Sequence, residues 1–149
     1  MMKAASLDVK GLIPHRAPML LVHRVVEARE DTVTCVGGVS EESPFVADGV
    51  ASAVLALELA AQSAAVSAAL AADPAAEPRV GFLAALRDVR FHVREIPAGR
   101  PLLATVRRGR TLGPLATYEA SVTFEDGAGE ILTATLSVAQ GGSVLQYAV

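Results

Sequence analysis

The sequence predicts an α+β fold in which a curved antiparallel sheet wraps one long central helix. Residues 50–72, VASAVLALELAAQSAAVSAALAA, contain no Gly or Pro and eleven Ala among 23 residues, and Ala is the strongest helix former. Residues 118–125 alternate Tyr118, Ala120, Val122 and Phe124 with Glu119, Ser121, Thr123 and Glu125, the period of a half-buried strand. Segments of these two kinds run in the order two strands, the helix, then four strands. A helix apolar on nearly every side has to be covered nearly all round. A flat sheet of this size cannot do that, so the sheet must curl or a second copy must help.

The elements follow in order. Pro14 and Pro18 keep the first part irregular or in a short helical turn. Leu20 to Ala28 reads as a strand with Val22 and Val26 on one face and His23 and Val25 on the other, and Glu30-Asp31 supplies the turn after it. Thr32 to Val39 is the second strand, and Gly37-Gly38 inside it marks a bulge or a close backbone approach. Residues 40–49 form a loop into the helix, expected from Val50 to Ala72. Asp48 or Ser52 can cap its start. Asp73-Pro74 ends it, because Pro cannot continue a helix and pushes its predecessor out of the α region. Beyond the connection 73–78, Arg79 to Val93 is a long strand. A turn falls at Ile96-Pro97-Ala98-Gly99, a strand at Leu102 to Arg107 and another turn at Gly113-Pro114. Asp126-Gly127-Ala128-Gly129 joins the last two strands, the second with Leu132, Ala134, Leu136 and Val138 on one face. Residues after Gly141-Gly142 read as a loose tail.

At 149 residues the chain is expected to be one domain, 1–149, with a real core. A 52% hydrophobic and 19% charged composition fits a compact soluble protein and excludes a disordered one. The lone Cys35 rules out an internal disulfide, and Met1 to Lys10 lacks the apolar segment of a signal peptide. Both point to a cytoplasmic protein. No Cys/His cluster is spaced for a metal, and no cofactor is called for. The net charge of −3 is unevenly placed: eight arginines (79, 87, 90, 94, 100, 107, 108 and 110) stand against only Asp88 and Glu95 in that stretch. This is either a solvated strand face or a docking patch for an acidic partner or phosphate-bearing ligand. Nucleic acid is disfavoured by a pI near 5.6 and by aromatics too few for a stacking platform.

Glu58 is the one ionisable group in the long helix, and Gln62 lies one turn later on the same face. A carboxylate inside an apolar element is costly unless paired, and desolvation tends to raise its pKa. The helix is long enough to span a membrane. Its weakly apolar Ala and Ser, the mid-helix Glu58 and the lack of flanking Lys or Arg argue against a span.

A curled antiparallel sheet around one helix is the hotdog architecture, whose usual dimer joins two sheets edge to edge and sets the helices side by side. The motifs point the same way. Pro14-His15-Arg16, Pro18-Met19-Leu20-Leu21-Val22 and Arg24-Val25 resemble the PHRxPxLLVDRV opening of the β-hydroxyacyl-acyl-carrier-protein dehydratases of fatty-acid synthesis, with His23 in place of Asp. Ser43-Pro44-Phe45 resembles that family's PF segment, Glu58-Leu59-Ala60-Ala61-Gln62 its ExxAQ helix motif, and Arg90-Phe91 with Pro97-Ala98-Gly99 its RF…PGD segment. The resemblance covers about residues 11 to 140, and the order and spacing of its motifs are more specific than any one of them. One departure matters. Where the family has a GHFP…MPGV loop, this chain has the shorter Val46-Ala47-Asp48-Gly49-Val50-Ala51-Ser52, with no His. That version is most similar to the divergent dehydratase-like proteins of aryl-polyene-type lipid pathways.

The resemblance implies a hydro-lyase that removes water from a 3-hydroxyacyl thioester carried on acyl-carrier protein or coenzyme A. The reaction needs a base for the α-proton, an acid for the hydroxyl and donors for the enolate-like oxygen. Glu58 is the expected acid, Gln62 orients it, and the backbone N–H groups of Gly49 and Val50 polarise the carbonyl. Asp48 is the expected substitute base, with a plain N-cap as its alternative, and His15 is expected near the substrate or as a structural residue. The catalytic reading requires Glu58 at the end of a slot that admits a fatty thioester. Two other functions fit: a non-catalytic partner subunit or carrier-binding module for a His-bearing dehydratase, and a hotdog acyl thioesterase. A homodimer, a heterodimer with a related dehydratase or a higher oligomer is expected.

Overall fold

The computed structural model describes residues 7–73 and 81–140. A short helix, α1 (Val9–Leu12), leads into β1 (Val22–Ala28) and β2 (Thr32–Gly37). Next come β3 (Val50–Ser52) and the long helix α2 (Val54–Ala71). The chain then forms β4 (Gly81–Phe91), β5 (Glu95–Pro97), β6 (Leu102–Leu112), β7 (Leu115–Phe124) and β8 (Glu130–Gln140). Six strands make one sheet in the order β1-β2-β6-β7-β8-β4, antiparallel throughout, and β3 pairs with β5 apart from it. Helix α2 touches β1, β2, β6, β7 and β8. Five strands about 4.8 Å apart span roughly 19 Å, nearly twice the ~10 Å width of a helix. The sheet therefore has to curl around α2, as the order of the elements requires.

Several boundaries differ from the sequence reading, each for a local reason. Helix α2 begins at Val54, not Val50. Asp48 (φ 53°) and Gly49 (φ 77°) form a two-residue turn closed by hydrogen bonds between Ala47 and Val50 in both directions. Both φ values are positive, as in a type I′ turn, for which Asp-Gly is a favoured pair. The turn sends Val50 to Ser52 into an extended pairing with Glu95–Pro97, which also makes a strand of part of the expected Ile96–Gly99 turn. Asp48 is therefore not the N-cap of α2. Ser52 is not the N-cap either: that position is Ala53, which has no side-chain cap, and Ser52 Oγ, one residue earlier, accepts from the Val54 N–H at 3.2 Å. In β1, two register shifts place Val22, Val25 and Ala28 inside and leave His23 and Val26 outside, against the simple alternation expected. β6 runs on to Leu112 and meets β7 across Gly113-Pro114. The short α1, capped by Asp8 through the Lys10 N–H, has no counterpart in the sequence reading. Arg79, most of the connection 73–78 and the tail lie outside the described residues.

The core holds Leu59, Ala60, Ala64 and Val66 of α2 against Val33, Cys35, Val106, Tyr118, Leu132 and Leu136 of the sheet. Cys35 is fully buried, and burial pushes its thiol up to about 11, so it is no nucleophile. By length and composition α2 passes for a membrane span; its packing makes it the core helix of this domain. It is not covered all round. Ala56, Leu59, Ala60, Gln62, Ser63, Ala64, Val66 and Ser67 are buried, whereas Val54, Leu57, Glu58, Ala61, Ala65 and Ala68 form a stripe left partly open.

The second uncovered surface is β4. Among the described residues it lies at the edge of the sheet, paired only with β8, and every residue but the half-buried Val89 is exposed. Phe82, Leu83, Leu86 and Phe91 are among the large apolar side chains left outside. The expected basic patch is dispersed: Arg100 pairs with Asp126 at 2.9 Å and lies over the Phe124 ring, Arg107 pairs with Glu119, and Arg108 donates to the Glu30 carbonyl. Arg87 and Arg90 remain on the open β4 edge.

Candidate active site

Glu58 stands on the open stripe of α2 and Gln62, one turn later, is buried beneath the segment 13–21, which enters the sheet at β1. Two anchors hold that segment. The Arg16 guanidinium donates to the carbonyls of Ile13 (3.0 Å), His15 (2.7 Å) and Lys10 (3.0 Å), gathering the residues around a cis Ala17-Pro18 bond. The Gln62 amide supplies the other anchor. Its Oε1 accepts from the N–H groups of Leu21 (2.8 Å) and Val22 (3.4 Å), while its Nε2 donates to the Met19 carbonyl (2.6 Å) and to Glu58 Oε1 (3.0 Å). Gln62 is 1% exposed, so the amide that ties the loop to the helix is the most buried polar side chain of the site.

This arrangement places His15 over Glu58, with Nε2 3.9 Å from Oε1. The two side chains are 32% and 34% exposed, and His15 Nδ1 is buried without a hydrogen-bond partner. Glu58 is thus half-buried on the open stripe of α2, not sealed inside the domain. The reason is that, among the described residues, only the segment 13–21 lies over Glu58 on that stripe. The expected slot does not coincide with either of two cavities of the domain. Two cavities, of about 220 and 270 Å³, are lined by Ala28, Val33, Ser67 and Leu70 among others and by Arg100, Pro101, Glu125 and Asp126; Glu58 and His15 line neither.

The other expected site residues separate from this pair. Asp48 is exposed at the tip of its turn, and among the described residues no hydrogen bond or ion pair joins it to Glu58. The Val50 N–H donates to the Ala47 carbonyl at 3.1 Å, so it is not free to polarise a thioester. Gly49 accepts from the Ala98 N–H through its carbonyl at 2.9 Å. His23 is exposed on β1, and His92 faces Glu130 at 3.5 Å. No cluster of three metal-ligating side chains occurs among the described residues. The role of Arg16 escaped the sequence reading; its place inside the PHR motif was the signal.

Replacing Gln62 with Leu is expected to leave the buried Leu21 N–H and the Met19 carbonyl unpaired. At about 1–3 kcal/mol for the buried Leu21 N–H and about 1 kcal/mol for the part-buried Met19 carbonyl, the loss should be about 2–4 kcal/mol. For a chain of this length that lowers Tm by roughly 5–15 °C, measurable by thermal unfolding followed by circular dichroism.

Comparisons with known proteins agree with the fold and with the motifs. A solved structure of the dehydratase heterocomplex ApeI:P from Xenorhabdus doucetiae aligns over 95% of this chain and 97% of its own, with 25% identity and a TM-score of 0.79. A mutant thioesterase PA1618 from Pseudomonas aeruginosa, 14% identical over 78% of this chain and 79% of its own at a TM-score of 0.59, shares the fold alone. The 3-hydroxyacyl-[acyl-carrier-protein] dehydratase FabZ of Streptococcus pneumoniae (strain CGSP14) is 47% identical over 38 residues, 26% of this chain. That match spans only 27% of the FabZ chain. The ApeP-like family, ApeP dehydratase, matches residues 7–148, and the chain, a hotdog fold, belongs to it.

Proposed function

We propose that the chain works in the removal of water from 3-hydroxyacyl thioesters, with Glu58 as the reacting group and a second hotdog chain completing the site. One observation carries the reading: a carboxylate on an otherwise apolar helix stripe is held by a buried amide, itself locked by three backbone groups, and remains open on its far side. A group positioned so firmly yet left accessible suits proton transfer to a bound ligand. The substrate is an acyl thioester on acyl-carrier protein or coenzyme A, in line with the FabZ-like motifs.

The open surfaces argue for the second chain. β4 is an edge strand among the described residues, with Leu83 and Leu86 exposed, the kind of strand that soluble proteins otherwise cover or blunt. The stripe of α2 through Leu57, Glu58 and Ala61 offers a helix-packing face. A partner joined along β4, with its helix beside α2, would cover both and wall off Glu58 in a slot. The neighbour that aligns over nearly all of this chain is a heterocomplex, which favours a related dehydratase as the partner. The same observation favours a second reading, in which this chain supports a catalytic partner without turning over substrate itself.

The test is hydration of a 2-enoyl thioester, followed by loss of its enoyl absorbance, with the chain alone and mixed with a dehydratase that carries the loop His. Turnover dependent on Glu58 in either arm supports the proposal. Activity in the mixture that ignores Glu58 supports the supporting-subunit reading. Leu86→Lys, which adds a charge beside Arg87 on the open edge, is expected to halve the molar mass in light scattering and to abolish activity without unfolding the chain. An unchanged mass would remove β4 from the interface.

A further inference from the structure

We propose that His15 stands in for no missing base: it positions Glu58 by donating from Nε2, and the single Glu58 carboxylate carries out both halves of the proton transfer. The inference rests on the dehydratase reading of the site and assigns the roles within it.

The argument starts from the orphaned atom. His15 Nδ1 is buried and has no hydrogen-bond partner. Were the ring hydrogen on Nδ1, a buried donor would lack an acceptor, and such orphaned donors are rare and costly. With the hydrogen on Nε2, Nδ1 presents only a lone pair, and no buried donor is left unpaired. The nitrogen bearing that hydrogen then lies 3.9 Å from Glu58 Oε1, an ion-pair distance longer than a hydrogen bond. A shift of about 1 Å brings it to hydrogen-bond length, and such contacts often tighten when ligand binds. A His that takes a proton at Nε2 must start with its hydrogen on Nδ1. A His that gives one from Nε2 must end with it there. Both cycles pass through the form this burial disfavours.

The carboxylate is arranged to match. Oε1 accepts a hydrogen bond from Gln62 Nε2 at 3.0 Å and is the oxygen nearer His15 Nε2, at 3.9 Å, while Oε2 makes no hydrogen bond or ion pair among the described residues. One oxygen is anchored and the other is free to react. Glu58 Oε2 takes the proton from the substrate α-carbon, and the electron pair of that C–H bond forms the new C=C bond as the C–O bond to the β-hydroxyl breaks. The same proton passes from Oε2 to the departing hydroxyl, which leaves as water, and the carboxylate returns to its starting form. Atoms and charge balance without a second acid or base, so a loop lacking His leaves no gap in the cycle.

Two measurements test this. The ¹⁵N spectrum of histidine-labelled protein, with His15 assigned by its loss in His15→Gln, should show the hydrogen on Nε2; a hydrogen on Nδ1 overturns the proposal. In the hydration assay, His15→Gln, which keeps an N–H at the Nε2 position but cannot exchange protons at neutral pH, should stay within about threefold of wild-type kcat. His15→Phe should lose about 10–100-fold in kcat with little change in KM. If His15→Gln falls as far as Glu58→Gln while keeping its thermal midpoint, His15 transfers the proton itself and the proposal fails. If Glu58→Gln retains full activity, the dehydratase reading beneath it fails instead.

Discussion

Replacing Glu58 with Gln is expected to lower enoyl-thioester hydration by about 10²–10⁴-fold, the usual contribution of a positioned acid–base group. This corresponds to about 3–5 kcal/mol of transition-state stabilisation. The substitution is close to isosteric. The oxygen of the new amide can still accept from Gln62 Nε2, so the bridge to segment 13–21 need not break. The residue is one-third exposed and lies on the open stripe of α2, so removing its charge disturbs no packed neighbour. The thermal midpoint should stay within about 2 °C of wild type, since surface changes away from special features stay within about 0.5 kcal/mol. Activity lost with the midpoint intact assigns chemistry to the carboxylate. Activity retained would leave Glu58 as a solvated helix residue and reduce the site to a scaffold. A fall in both would point to the bridge, and Gln62→Leu supplies the reference for that outcome.

The parts of the fold legible in sequence are those set by periodicity. The Ala-rich helix, the alternation of β7 and β8 and the Gly-rich turns between strands depend on near neighbours in the chain, and all three appear where local spacing puts them. The start of α2 depends on something non-local. Residues 50–53 have good helical composition, yet pairing with residues 95–97 and the positive φ at Asp48 and Gly49 take Val50 to Ser52 into a strand. The faces of β1 fail for a related reason: its register shifts are set by the partner strand β2, and one shift turns every later side chain over. At the site, Glu58 and Gln62 were readable because i and i+4 share a helix face. His15 was harder. It is 43 residues from Glu58 in sequence, and only the folding of Arg16 over its neighbouring carbonyls and the Gln62 clamp bring the imidazole down onto α2. Asp48 was assigned by its distance along the chain from the helix, and a two-residue turn is enough to send it elsewhere.

Gly37→Ala should destabilise the protein more than any other single methyl addition at a described glycine, and it should damage the site as well as the fold. A Cβ at position 37 would lie 2.2 Å from the Leu21 carbonyl oxygen and 2.7 Å from Leu59 Cδ1. The Leu59 methyl belongs to a flexible side chain, although a fully buried one. The Leu21 carbonyl is backbone and cannot swing aside alone. It accepts the Gly38 N–H at 3.0 Å, while the Leu21 N–H on its other side is tied to Gln62 Oε1. Moving it away from a new Cβ therefore breaks one of those bonds or drags segment 19–22 off the helix. Overpacking of this kind costs about 3 kcal/mol or more when backbone must shift, so Tm should fall by roughly 6–12 °C. Gly81→Ala is the matched control: its Cβ meets only Val138 Cγ1 at 3.5 Å, ordinary contact, so the change should be within about 0.5 kcal/mol. Equal stability of the two variants would show that Leu21 and Gly37 are not in tight register. The two-glycine break in β2, visible in sequence as a place where chains come close, is thus where the sheet, the loop bearing His15 and the amide holding Glu58 meet. Because Leu21 is shared by all three, the same methyl group that loosens the sheet should also release Gln62 from the loop. Hydration activity should then fall along with stability, unlike the separation of the two expected for Glu58→Gln.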